Sequence, residues 1–123
     1  MKYKFLILSV LASLALTGCA TKERIIWNNY QDNLYDFYSQ KLTDEEYIAT
    51  LLEAVQTSQE QGIPLAPGLF AEIGTFYARA GKFADAISYY KLEAQTWPES
   101  KPFMDKLVAG IEAHLARKKE NQK

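Results

Sequence analysis

Cysteine and histidine are almost missing from this sequence: each occurs once in 123 residues. One Cys excludes an intramolecular disulfide, and one His excludes the multi-histidine metal sites. Glycine occurs 6 times and never in a cluster, so no phosphate-cradling loop is present. Neither sign of charge dominates, with 14 Lys+Arg against 15 Asp+Glu, so a surface built to coat nucleic acid is not indicated. Long apolar runs are lacking too. The longest, Phe5 to Leu16, is broken only by Ser9 and Ser13 and would rise about 18 Å as a helix, short of a hydrocarbon core of about 30 Å. What remains is 48% hydrophobic and 24% charged residues, enough for one small globular domain.

A basic start, Met1-Lys2-Tyr3-Lys4, followed by that short apolar run and small residues, has the layout of a secretory signal. The run ends in Leu16-Thr17-Gly18-Cys19, which resembles the lipobox of bacterial lipoproteins. The resemblance implies that residues 1–18 are cleaved and that Cys19 carries a diacylglycerol on its thiol and a palmitate-type chain on its amine. The plainer alternative leaves Cys19 as the end of an ordinary signal or of an uncleaved anchor. At roughly 0.8 kcal/mol per buried methylene, several acyl chains on one residue anchor essentially permanently. Ala20 stands where an Asp typically retains such lipoproteins at the inner membrane, so the resemblance implies the outer membrane, facing the periplasm. Loss of residues 1–18 removes Lys2 and Lys4 and no acid, which turns the formal charge from −1 to −3. A mildly acidic body is not drawn to an anionic bilayer, so the lipid does the holding. Residues 19–26 then form the acylated Cys and a tether that reaches roughly 25 Å when extended, ahead of a helical domain over 27–119 and a frayed tail at 120–123.

The mature chain reads as amphipathic helices with no strand. Trp27, Tyr30, Leu34, Phe37 or Tyr38, and Lys41 recur at helical spacing and place aromatics on one face of a first helix. Asn28, Asn29, Asp32 and Asn33 on its other side weaken it. Thr43-Asp44-Glu45-Glu46 matches a capping box for a second helix with Tyr47, Ile48, Leu51, Leu52 and Val55 inward, stopped by Gly62 and Pro64. Pro67 suits the first turn of a third helix, whose inward residues are Leu69, Phe70, Ile73, Phe76, Tyr77 and Ala80 and whose end is Gly81. Phe83, Ala86, Ile87, Tyr90 and Ala94 mark a fourth, closed by Pro98. Ser100 is the expected cap of a fifth, with Pro102 in its first turn and a stripe of Met104, Leu107, Val108, Ile111 and Leu115.

The third and fourth segments resemble a tetratricopeptide repeat: Phe70, Ile73-Gly74 and Tyr77, then Ala86, Tyr90 and Pro98. Pro67 to Ser100 spans 34 residues, the period of that repeat. Gly74 and Ala86 have almost no side chain, which lets two helices approach closely. Glu93 departs from the pattern, standing where a small residue is usual, and is expected to reach solvent or a cation such as Lys91 or Arg79. The fold class is therefore all-α, a short tetratricopeptide-like stack of about five antiparallel helices. The longer string Pro67-Gly68-Leu69-Phe70-Ala71-Glu72, then Trp97-Pro98-Glu99-Ser100 and Phe103-Met104, with the lipobox and Trp27-Asn28-Asn29-Tyr30 ahead of it, looks like a family of small bacterial lipoproteins known only as a domain of unknown function. That resemblance implies company with two other lipoproteins, one of the curli-secretion-channel type.

Chemistry is thinly represented. His114 stands alone with Glu112 nearby, and reads as an ordinary helix residue. Asp44-Glu45-Glu46 offers carboxylates for acid–base work, but capping and dipole compensation use the same residues. Ser88 and Ser100 have no nucleophile motif around them. The expectation is a non-enzymatic scaffold for an envelope assembly or secretion complex, with no cofactor beyond the lipid on Cys19 and no nucleic-acid partner. Its partner-binding residues are Arg79 and Thr75, on the far side of the third helix from Ile73, and Tyr35, on a concave side lined by helices one and three. The alternative is an envelope enzyme or small-ligand binder with a pocket lined by Glu72, Arg79 and tyrosines.

Overall fold

Five α-helices follow one another over residues 24–122, the part of the chain that the computed structural model describes. They are α1 (Tyr30–Tyr38), α2 (Asp44–Gln61), α3 (Leu69–Arg79), α4 (Phe83–Thr96) and α5 (Lys101–Glu120), with a 3-10 turn at Pro98–Ser100 ahead of α5. The expected all-α helical stack is the fold. Cys19 and the signal residues 1–18 lie outside the described residues. Among the described residues no helix is long and apolar enough to cross a membrane.

Backbone chemistry at the helix ends decides their lengths. The Thr43 box closes as the spacing requires: Glu46 N–H donates to Thr43 Oγ1 at 3.2 Å, and Thr43 N–H donates to Glu46 Oε2 at 2.8 Å. The Glu46 carboxyl is held below its ordinary pKa by the Thr43 backbone donor. Gly62, with φ 64°, turns the chain out of α2 through the left-handed region. Elsewhere the ends differ from expectation. Asn28 and Asn29 adopt φ 43° and 57°, which short polar side chains tolerate, so α1 starts only at Tyr30. Trp27 is thereby left out of the aromatic core and stays 45% exposed. Phe37 is the inward aromatic and Tyr38 points out. Pro67 precedes α3 instead of opening it, because Gly68 at φ 92° is the N-cap. Ala80 is the exposed C-cap of α3, not a core residue.

The main core gathers Ile26, Tyr47, Leu51, Leu65, Leu69 and Ile73 between α2, α3 and the segment before α1. A second cluster of Ala86, Tyr90 and Met104 joins α4 to α5, and Tyr77 packs against both. The contact between α3 and α4 is the tightest. A methyl group built on Gly74 would lie 2.9 Å from the Tyr90 ring and 3.2 Å from the Ala86 carbonyl. The packed body also begins earlier than the sequence predicts. Ile26 N–H donates to Pro64 O and Ala66 N–H donates to Ile26 O, both at 2.9 Å, a single parallel bridge that buries Ile26. Ile25 and Ile26 therefore belong to the domain, not to the tether.

Candidate functional site

The buried polar groups come first, because they decide which side chains are free to meet a partner. Glu72 on α3 accepts from Tyr30 Oη at 2.9 Å and from Tyr47 Oη at 2.9 Å, so that α1, α2 and α3 meet on one carboxylate. Burial and the Glu72 charge push the Tyr30 phenol up to about 12 and raise Tyr47 further. This has a measurable consequence. The unfolded chain releases such protons near pH 10.0 while the native chain keeps them, so the native state is the more protonated one in that window. Stability should fall as pH rises from about 10 to about 12. Alkaline denaturation followed by circular dichroism checks it, and Tyr30→Phe should flatten the dependence.

Glu93 resolves differently from the sequence expectation. It reaches neither solvent nor a cation; it is 1% exposed. Its Oε1 accepts the Gly68 N–H at 2.8 Å and the Ser100 hydroxyl at 3.2 Å, while Oε2 has no partner among the described residues. A carboxylate at the start of α3 faces the positive end of that helix, which offsets part of its desolvation. Ser100 stands at the N-cap of α5, but its hydroxyl donates to Glu93 and its side chain makes no capping bond. Trp97 Nε1–H donates to Leu65 O at 3.0 Å beside it. Thus the Pro67-Gly68 and Trp97-to-Ser100 stretches, far apart in sequence, meet on one buried acid.

The expected groove between helices one and three is largely closed. Phe37 packs edge-on against Phe76 with ring centroids 5.7 Å apart, and Tyr30 reaches Glu72 across the same contact. What stays open is a cleft of about 540 Å³ where the α1–α2 connection meets the end of α3. Phe37 and Leu42 contribute apolar side chains to its lining, and Tyr38, Lys41, Thr43, Asp44 and Arg79 contribute polar and charged ones. Arg79 is exposed, 3.4 Å from Asp44 and above the Phe76 ring, so it has partners that the sequence could not place. Tyr35 lies just outside the cleft lining, 67% exposed, with Lys41 Nζ 5.1 Å from its ring centre. Lys41 in turn pairs with Asp36 at 2.8 Å.

Thr75 does not join them. Its hydroxyl lies 2.9 Å from Ala71 O and 3.1 Å from Tyr90 Oη, a contact that fixes the Tyr90 ring over Gly74. Glu72, bound by two phenols, is not part of the cleft that Arg79 lines. His114 is exposed beside Phe83, and no group of three or more His, Cys, Asp or Glu among the described residues is arranged to hold a metal. Sequence reasoning missed the cleft itself. No signal could have found it: the chain bends between α1 and α2 at Gln40, with φ 60°, and Gln is not a turn-marking residue type.

The family described as a domain of unknown function (DUF4810) matches residues 26–107. The match begins at Ile26, the residue that bridges to Leu65, and takes in the cleft and the Glu93 contact. No curated protein and no solved structure matches the chain.

Proposed function

The chain belongs to the DUF4810 family, and from that premise we propose that it is a non-enzymatic scaffold in an envelope assembly or secretion complex. Acyl chains on Cys19 hold it at the outer membrane on the periplasmic side, and the cleft between the α1–α2 connection and α3 receives a partner protein. The Leu-Thr-Gly-Cys run supports the anchor. The resemblance to small lipoproteins favours other envelope lipoproteins as partners, one of the curli-secretion-channel type.

The observation that carries the docking reading is the cleft with its aromatic and cationic rim. Tyr35 and Tyr38 are 67% and 77% exposed, and Tyr38 and Arg79 both line the cleft. Tyr and Arg are among the residue types that dominate binding hot spots, and here Tyr38 and Arg79 line one cleft with the apolar Phe37 and Leu42. The intramolecular contacts of Arg79 are exposed ones, worth about 1 kcal/mol or less. Arg79→Ala and Tyr35→Ala should therefore leave the helical signal and melt nearly unchanged. At a true hot spot each should weaken capture of the envelope partner by at least about 1 kcal/mol. Unfolding of the variants would make these residues structural, and unchanged capture would move the binding surface elsewhere.

A further inference from the structure

The corner of the domain where the tether enters carries its own exposed aromatic. Trp27 follows buried Ile26 directly, yet is 45% exposed, its ring 5.8 Å from that of Tyr30. Asn28 and Asn29, both in the left-handed region, hold it outside α1 rather than letting the helix run on and fold it inward. Two shallow depressions of about 300 and 280 Å³ flank it. Amides, hydroxyls and the Ile26 edge line them, with Asp32 the one charged group. A Trp ring with largely uncharged polar neighbours is what the headgroup region of a bilayer accommodates, apolar body inward and N–H in a wet layer.

Chain length then selects the occupant. Between Cys19 and Ile26 the chain reaches at most about 25 Å. A domain of about 100 residues has a radius of gyration of about 13 Å, and so measures roughly 34 Å across. Were the Ile26 corner turned away from the membrane, the tether could not pass the body. With Cys19 in the bilayer, the tether keeps that corner on the membrane-proximal half of the domain.

We propose that Trp27 seats in the headgroup region of the phospholipid bilayer and that the Trp27–Tyr30 corner is the membrane-facing surface of the domain, a proposal that rests on acylation of Cys19. The lipid holds the protein at the membrane, and Trp27 fixes its orientation, which leaves the α1–α2 cleft free for a protein partner.

The test uses the lipidated full-length chain purified from bacterial membranes and reconstituted in phosphatidylethanolamine–phosphatidylglycerol vesicles. One set of vesicles carries bromine on acyl carbons next to the headgroup, the other near the bilayer centre. Tryptophan emission should shift to the blue on reconstitution and be quenched by the shallow bromines more than by the deep ones. In Trp27→Phe, with unchanged circular dichroism, most of that quenching should be lost, and what remains belongs to Trp97, half-buried with its Nε1–H on Leu65 O. Equal emission from brominated and plain vesicles, with the protein still co-sedimenting, overturns the seating of Trp27 and leaves the lipid anchor standing. Failure of the wild-type chain to co-sediment overturns the anchor, and the proposal with it.

Discussion

Gly74→Leu should melt well below the wild-type protein. Even one methyl group at this position meets the Tyr90 ring at 2.9 Å, and the ring cannot withdraw easily. Tyr90 is 3% exposed, and its hydroxyl is hydrogen-bonded to Thr75 on the same helix as Gly74. The Ala86 carbonyl at 3.2 Å is backbone and yields still less. Overpacking of this kind costs about 1–3 kcal/mol or more. In a domain of this size each kcal/mol moves the midpoint by about 4–8 °C. Glycine inside a helix is itself about 1 kcal/mol worse than alanine, so an uncrowded Gly74 would gain on substitution. The two cases differ in sign. A lowered midpoint in a thermal melt supports the close α3–α4 contact, and a raised one removes it.

The second large effect belongs to Cys19. Cys19→Ser leaves no thiol to acylate, and the chain should then remain unprocessed or appear in the soluble fraction. The magnitude follows from the proposed lipid: at roughly 0.8 kcal/mol per methylene, several long chains would anchor permanently, and their loss would leave no anchor. The charge of −3 that the proposed cleavage of residues 1–18 would leave does not replace it at an anionic surface. Fractionation and the mass of the mature N-terminus read the outcome. A Cys19→Ser chain that matures and stays with the outer membrane contradicts the lipoprotein reading.

The helices were legible wherever their ends rest on local chemistry. The Thr43–Glu46 box, Gly62 and Gly81 mark ends by side-chain type, and each does in the structure what its type dictates. The α3–α4 pairing was legible in Gly74, Ala86 and Tyr90, because close approach demands small residues at fixed spacing. What stayed hidden depends on partners distant in the chain. The fate of Glu93 is set by the Gly68 N–H, 25 residues away, and no local pattern announces it. Ser100 stands at the N-cap of α5 as its type suggests, but its side chain makes no capping bond and its hydroxyl donates to Glu93 on α4, a partner that local sequence does not announce. Tyr30 and Tyr47 share an acid 42 and 25 residues downstream, and through it they close the groove that helix periodicity alone leaves open. Of the residues singled out for binding, Arg79 and Tyr35 stand at or beside the cleft, while Thr75 serves the α3–α4 contact. Trp27 shows the same limit in reverse. Its spacing assigns it to a helix that two left-handed asparagines prevent from starting there.

Crosslinking inside cells tests the docking reading most directly. A photo-crosslinking amino acid at Tyr38, which is 77% exposed on the cleft wall, should yield discrete adducts with one or two envelope proteins, other lipoproteins among them. The same group at Lys91, exposed on α4 away from the cleft, should yield none of these, and Arg79→Ala should abolish the Tyr38 adducts. Adducts from Lys91 with none from Tyr38 would contradict the assignment of the cleft as the surface that binds.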